Sequence, residues 1–310
     1  MTTPWPGEDP VPSYGYQVPY QPGWYDPALD PLVPQPGTRL EAWTERITGT
    51  LRRSWLPVGL ILLVLVAAPN ILFGILGAGL GAAVEFAPET SAEAFRRPEF
   101  AIGTIGVLLL LGLITIILNA LAWASSIWAI TQGAVGQPAP LGDAIRAGAR
   151  RMWPMLGWYI LYGLMCGVGL VFCLLPGLYL ALAGSLFSFV VMYERGTGPI
   201  GRSFSIVHRE FGAALGRVLL LALVYLGVSV LVSDAVGGGA LGAGAIDFSA
   251  AESGSSPVSI GFQVVGQIVS AAVAIPLELL LIVGLLVTYT QLRARHEPVS
   301  TVQLHAAVNA

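Results

Sequence analysis

Glu278 is the residue on which buried chemistry in this sequence would turn. It sits in "AIPLELLLIVG", an aliphatic run with no other ionisable residue. An acid at the centre of a bilayer costs roughly 2.5–3.5 kcal/mol on insertion scales, so it must face other protein groups, protonated or hydrogen-bonded. Pro276, two residues earlier, lacks the N–H that a helix interior needs, which kinks the backbone and frees carbonyls. A second apolar run carries Thr115, Asn119 and Ser126, spaced i, i+4 and i+11 and therefore on one helical face. These three are the expected partners of Glu278. Two readings follow: a proton- or cation-sensitive site between the two helices, or a neutral carboxylic acid that ties them together.

The remaining residues offer little reaction chemistry. All fifteen basic residues are arginine, which removes P-loop, Schiff-base and kinase-type phosphate chemistry, because each uses a lysine amine. His208, His296 and His305 lack metal-ligand spacing, and the sequence has no HExxH, no GxSxG and no acid pair beside a histidine. Cys166 and Cys173 fall seven residues apart in an oily segment and read as small buried hydrophobes. The expectation is a chain with no catalytic residues, no metal and no cofactor.

The elements that would position Glu278 are membrane helices. Hydrophobic residues make up 55% of the 310 and charged residues 11%, less than half the charged share of a soluble domain, and the mean hydropathy is +0.73. A hydrocarbon core about 30 Å thick needs about 20 apolar residues per helix. Six stretches qualify, near 56–78, 102–131, 155–174, 178–192, 213–236 and 262–289. Leu175, Pro176 and Gly177 supply a stop and a turn for a tight hairpin between the third and fourth. Gly77xxxGly81 and Gly163xxxGly167 offer small-residue faces for close helix approach.

Residues 1–37 hold ten prolines interleaved with aromatics and read as a disordered tail suited to protein partners. No basic n-region precedes an apolar h-region there, so the tail is not a signal peptide. Residues 38–297 form the six-helix domain and 298–310 a short C-terminal tail. Arginine accumulates on cytoplasmic flanks. With the N-terminus inside, every arginine except Arg96 and Arg97 lies on the inner side, so both termini are cytoplasmic and the chain is a multi-pass protein of the bacterial cytoplasmic membrane. Net charge −3 and a pI near 5.6 give no pull toward nucleic acid.

One pattern recurs before each odd-numbered span: "RRSWLPVG" at 52–59, "RRMWPMLG" at 150–157 and "HREFGAALG" at 208–216. Arginine, one residue, an aromatic, then glycine follow in that order. Ahead of each lies an amphipathic stretch, such as Leu40, Trp43, Ile47 and Leu51, or Ile200, Phe204, Val207 and Phe211. Thr38 with Glu41 reads as a capping box that starts the first. Such a helix lies in the headgroup layer with its arginines on anionic phosphates. The fold class is therefore all-α, with six transmembrane helices in three units, each a cytoplasmic interfacial helix followed by a transmembrane hairpin. Arg52, Arg53, Arg150, Arg151, Arg202, His208 and Arg209 are the expected headgroup contacts.

From Leu175 the chain reads "LPGLYLALAGSLFSFVVMYERGTGPIGRSFSIVHREFG". This stretch resembles actinobacterial integral membrane proteins related to the membrane domain of glycerophosphoryl diester phosphodiesterase. The similarity spans about 141–225, carried by Leu175, Pro176 and Gly177, by Glu194, Arg195 and Gly196, and by Arg202, Ser203 and Gly212. Gly201 stands where alanine is common, and the preceding span lacks the usual proline. The resemblance implies six helices and no phosphodiesterase activity, which belongs to a separate soluble barrel. An ion pair from Glu194 to Arg202 across the short connection would set the angle of the surface helix. The functional expectation is a non-enzymatic membrane protein that binds anionic lipid or partner proteins in envelope organisation or lipid homeostasis. The alternative is a small-solute or ion transporter that uses Glu278.

Overall fold

The computed structural model describes residues 30–34, 40–85, 98–242 and 260–310. The tail 1–29, Thr38 of the expected capping box, Arg96 and Arg97, and the glycine-rich stretch after 242 lie outside the described residues. Every described element is helical. In chain order they are α1 (Leu40–Leu62), a π-helical turn (Leu63–Ala67), α2 (Ala68–Glu85), α3 (Pro98–Ala134), α4 (Leu141–Phe172), α5 (Leu174–Gly184), α6 (Phe187–Tyr193), α7 (Pro199–Arg209), α8 (Phe211–Gly242), α9 (Ile260–Ala294) and α10 (Thr301–Asn309).

Six helical stretches are long and apolar enough to cross a membrane: Leu40–Gly77, Ile102–Ala134, Leu141–Phe172, Leu174–Tyr193, Phe211–Val236 and Val264–Ala294. Leu108, Leu109, Val171, Phe172 and Leu231 stand mostly exposed on them. A belt of that kind is a liability in water and the normal outer surface of a protein solvated by lipid. The protein is polytopic, and span four is assembled from α5 and α6 end to end. Each odd-numbered span packs on the even-numbered span after it, and around the bundle the order is five, six, one, two, three, four, with only thin contact between four and five.

Small residues let these helices close up, though not at Gly77, Gly163 or Gly167; the surroundings of Gly81 lie outside the described residues. Nothing lies within 4 Å of where a Cβ would sit on Gly77, Gly163 or Gly167. The close approaches are elsewhere. A Cβ on Gly169 would lie 2.9 Å from the Cα of Gly177, and one on Gly177 would lie 2.6 Å from the backbone nitrogen of Leu170. The hairpin between spans three and four therefore turns at Cys173, where the backbone is extended (φ −169°, ψ 142°). Pro176 sits in the first turn of α5, and Gly177 serves crossing backbones rather than a turn. Proline at that point loses nothing, because a first-turn N–H has no intrahelical partner.

One surface helix stands apart from its span. α7 opens on Gly198 and Pro199 after a left-handed Gly196 (φ +74°), buries Ile200, Ile206 and Val207, and stops where Glu210 leaves helical geometry (φ −136°, ψ 45°). The other two amphipathic stretches run without a break into the spans they precede, Leu40 through Pro57 within α1 and Leu141 through Pro154 within α4. Nothing at Arg53 or Arg151 terminates those helices, and both stretches pack on the bundle: Trp43 and Ile47 are buried, the Trp43 indole N–H donates to the Thr288 hydroxyl at 3.1 Å, and Gly148 lies against Ser125.

The last residues, expected as a short tail, form α10, with Thr301, Leu304 and Val308 buried. Ser300 caps it through a capping box with Gln303. Asp30, from the segment expected to be disordered, docks on the same helix start. One of its carboxylate oxygens accepts from the backbone N–H groups of Leu32 and Val33 at 2.9 and 2.8 Å and from the hydroxyl of Thr301, and the other accepts from the backbone N–H of Thr301 at 2.9 Å. A carboxylate at a helix N-terminus meets both free N–H donors and the positive end of the dipole. Leu32 is fully buried beside it, and its carbonyl accepts from Thr290. Asp30→Ala removes all four contacts and is expected to loosen α10 by about 1–3 kcal/mol. Hydrogen exchange of the α10 amides should accelerate accordingly while the span amides keep their protection.

Candidate functional site

The arginine-rich end of the bundle is built around four charges from three elements. Arg202 of α7 donates from Nε to Glu194 Oε2 at 2.8 Å and from Nη2 to Glu297. Arg293, in the last turn of α9, donates from Nε to Glu297 Oε2 at 2.8 Å and lies 3.7 Å from Glu194 Oε1. The Tyr289 hydroxyl donates to Glu194 Oε1 at 2.8 Å and accepts from Arg293 Nη1 at 3.1 Å. The ion pair expected between Glu194 and Arg202 is thus one side of a closed ring. Burial alone would raise the Glu297 pKa, but hydrogen bonds from Arg202 and Arg293 outweigh it and hold the carboxyl below its ordinary value. Burial likewise opposes charge on Arg202, and its bonds to Glu297 and Glu194 more than compensate, so it stays protonated.

Ser203, the neighbour of Arg202, has a separate task. Span four breaks between α5 and α6, leaving backbone groups without helical partners. The Ser203 hydroxyl donates to the carbonyl of Ala183 at 2.7 Å and accepts from the N–H of Leu186 at 3.2 Å. Consecutive residues of α7 thus pin the end of span four through a guanidinium and splint its break through a hydroxyl. This is the physical content of the "ERG" and "RS" positions.

Around this ring the acids of the same end are used internally. Glu210 pairs with Arg295 and lies 3.4 Å from His296, and Asp143 pairs with Arg146 at 2.8 Å. Glu41 and Glu45 are exposed and precede Arg53 by two turns or more on α1. Arg52, Arg150, Arg195 and Arg209 are exposed, and among the described residues no acid pairs with them. Arg151 faces the like charge of Arg195 and reaches the carbonyl of Ala307 at 3.5 Å. Arg53 is exposed and donates to the carbonyl of Pro31 at 3.2 Å. His208 is exposed, with Nδ1 against the Phe204 carbonyl at 2.7 Å and Nε2 against the Tyr179 hydroxyl.

Of the expected headgroup contacts, then, Arg52, Arg150 and Arg209 face outward without acid partners, while Arg53, Arg151 and His208 also hold the protein's own groups. Arg202 is turned into the ring. The aromatic two residues after Arg53, Arg151 and Arg209 is exposed in all three cases, Trp55 at 61%, Trp153 at 68% and Phe211 at 40%. Burial lowers the pKa of His305, which meets the Gln132 side-chain oxygen at 2.9 Å. His305 therefore helps attach α10 rather than carrying charge.

Glu278 occupies the middle of α9, and its partner is Trp123, whose indole N–H donates to Oε1 at 3.1 Å. The expected partners stay on their own helix. Thr115 donates to the Leu111 carbonyl at 2.9 Å, Asn119 donates to the Thr115 carbonyl at 2.9 Å, and Ser126 is fully buried. Helix α3 does meet Glu278, by a residue on the same side that polarity alone did not mark. On its other side, Glu278 borders a cleft between the first span and α9 that contains Asn70, Gln267 and Ser270. Toward the arginine-rich end the bundle interior is filled by Phe189, Tyr193 and Tyr289, whose rings stack with centroids 5.8 and 6.0 Å apart.

No protein-family model, curated protein or solved structure matches the chain.

Proposed function

We propose that this polytopic protein is non-enzymatic and that its arginine-rich end, on the cytoplasmic side, gathers anionic lipid headgroups, with partner proteins recruited through the Pro/Tyr-rich tail. The observation that carries the reading is charge segregation. Glu194, Glu210 and Glu297 are paired inside the protein, whereas Arg52, Arg150 and Arg209 are exposed, each within three residues of an exposed aromatic. Exposed aromatics mark the headgroup level of a membrane helix, and unpaired guanidinium groups at that level attract phosphate. A role in envelope organisation or lipid homeostasis follows from a protein that sorts lipid at its rim. The resemblance at 175–212 fits this view, because Glu194, Arg202 and Ser203 act here as braces and would carry over architecture rather than a reaction.

The test is lipid selectivity. In vesicles, quenching of tryptophan by brominated phosphatidylglycerol is expected to exceed quenching by brominated phosphatidylcholine, and high salt should narrow the gap. Each surface guanidinium is worth about 1 kcal/mol toward anionic lipid, about fivefold per site. A chain carrying Arg52→Gln, Arg150→Gln and Arg209→Gln should lose the preference; equal quenching by both lipids in the unaltered chain would sink the reading. A second reading, movement of a small solute or ion by way of Glu278, draws its support from the cleft beside that residue.

A further inference from the structure

The cleft beside Glu278 has the make-up of a binding site. Its volume is about 150 Å³, and its polar lining is Glu278, Ser270, Gln267 and Asn70, with Val66 and Ile275 among the apolar walls. Gln267 and Asn70 are exposed along candidate membrane spans, and among the described residues neither side chain makes a hydrogen bond. Amides without partners are costly in membrane helices and mark ligand pathways there; the Gln267 amide lies over Gly74 of α2. Both walls are locally irregular. The π-helical turn Leu63–Ala67 contributes Val66 and Ala67 to the lining, and Pro276 lies within α9 one half-turn from Glu278. Single-turn π segments concentrate at functional sites, and proline leaves the carbonyl four residues earlier free to accept.

The lining also restricts the ligand. From Gln267 to Glu278 is eleven residues, about 16 Å along the helix, so these groups form a row and cannot surround one metal ion. The acid is the only ionisable group among the lining residues. Trp123, Tyr159 and Tyr225 are the other groups that face it, through the indole hydrogen bond and through electrostatic contact. None of them carries positive charge. In a low-dielectric setting a carboxyl group stays neutral until a cation arrives to compensate its charge. The open side of the cleft gives onto the belt that lipid covers, and a cavity near 150 Å³ is large enough for a group the size of benzene. We propose that the cleft binds a small amphiphile that enters sideways from the bilayer, its primary ammonium head group paired with Glu278 as the counter-ion and its chain lying along the row toward Ser270 and Gln267, against Val66 and Ile275.

This inference is independent of the arginine-rich end, and its test uses no anionic lipid. The full chain is purified in an uncharged detergent and its thermal unfolding midpoint is followed against hexylammonium and, separately, hexanol. The ammonium is expected to raise the midpoint saturably and the alcohol is not, since a ligand stabilises the fold in proportion to its occupancy. Glu278→Gln should weaken the half-saturating concentration by about tenfold or more, the loss of one charge-assisted hydrogen bond. Ala274→Leu, which fills the cleft from an exposed position while leaving Glu278 in place, should abolish the response. Arg52→Gln/Arg150→Gln should respond like the unaltered chain. An equal response to alcohol, no response to the ammonium, or an undiminished response in either Glu278→Gln or Ala274→Leu overturns the proposal.

Discussion

Glu194→Ala is expected to lower the unfolding free energy by about 3 kcal/mol, the low end of the range for removing one partner from a buried ion pair. The low end applies because Glu297, at the outer edge of the ring, remains partly solvated, with 29% of its side chain exposed. Glu194 itself is only 9% exposed and accepts from Arg202 and Tyr289 while lying beside Arg293. Its removal strands two guanidinium groups that are each about one-fifth exposed, with Glu297 left to serve both. The neighbouring Arg195→Ala should change stability by less than about 0.5 kcal/mol, since Arg195 is exposed. Adding Arg202→Met to Glu194→Ala should recover part of the loss, because the stranded charge goes with it. The sign of the pH dependence follows from Glu297. Its folded pKa lies below the ordinary 4.5, so its stabilisation is complete above that value and disappears as pH falls through the depressed one. Equilibrium unfolding in mixed micelles measures all of this, and a loss under about 1 kcal/mol for Glu194→Ala would show that the ring does not brace spans four and six.

That ring also shows how far a single sequence can be read. The six spans are visible because apolar length is a local property, and the lipid belt seen in the structure follows the same stretches. The pairing of Glu194 with Arg202 was legible because eight residues separate them across one short connection. Glu297 and Arg293 were not, since they arrive from a helix about 95 residues later and nothing in their surroundings differs from ordinary flanking charge. The recurring arginine and aromatic mark three exposed rings, Trp55, Trp153 and Phe211. They did not show that two of the preceding amphipathic stretches would run on as continuous helices, because helical periodicity is the same on either side of an unbroken joint.

The site at Glu278 was half legible for a related reason. The acid stands out by composition, and helix α3 was rightly taken as its neighbour. Hydroxyl and amide side chains were weighed as partners, yet within a helix Thr115 and Asn119 satisfy themselves on carbonyls four residues back. The indole N–H of Trp123 has no such outlet, because it projects too far to bend back, and so it reaches across to the carboxyl. Gln267 lies near the end of its span, where a polar residue is unremarkable, and Asn70 shows its bearing on the cleft only when α9 packs beside it. Asp30 lies in a proline-rich stretch whose composition gives no hint that its carboxylate caps α10 from 271 residues away.

Gly148→Ala is expected to be among the most disruptive single-methyl changes in the bundle. The added Cβ would lie 2.2 Å from the Ser125 hydroxyl oxygen, 2.8 Å from its backbone nitrogen and 3.1 Å from its Cα. A hydroxyl can rotate away, but backbone cannot, so α3 and α4 must separate at their crossing. Helix α3 is built for that contact. Ala120, Ala122, Ala124, Ser125, Ser126 and Ala129 are all fully buried, and small residues are what allow membrane helices to pack backbone to backbone. Forcing a methyl into such a contact costs about 1–3 kcal/mol, against at most about 1 kcal/mol gained in helix propensity. Gly163→Ala and Gly167→Ala, fifteen and nineteen residues along the same helix, add a methyl in open space and should be neutral or stabilising by the propensity term alone. Unfolding titrations of the three variants therefore separate packing from propensity within one helix. Adding Ser125→Gly to Gly148→Ala should restore only part of the stability, because the 2.8 Å contact is to the Ser125 nitrogen and survives loss of the side chain. Full restoration would mean that the hydroxyl alone sets the spacing, and that the two backbones do not meet at this crossing.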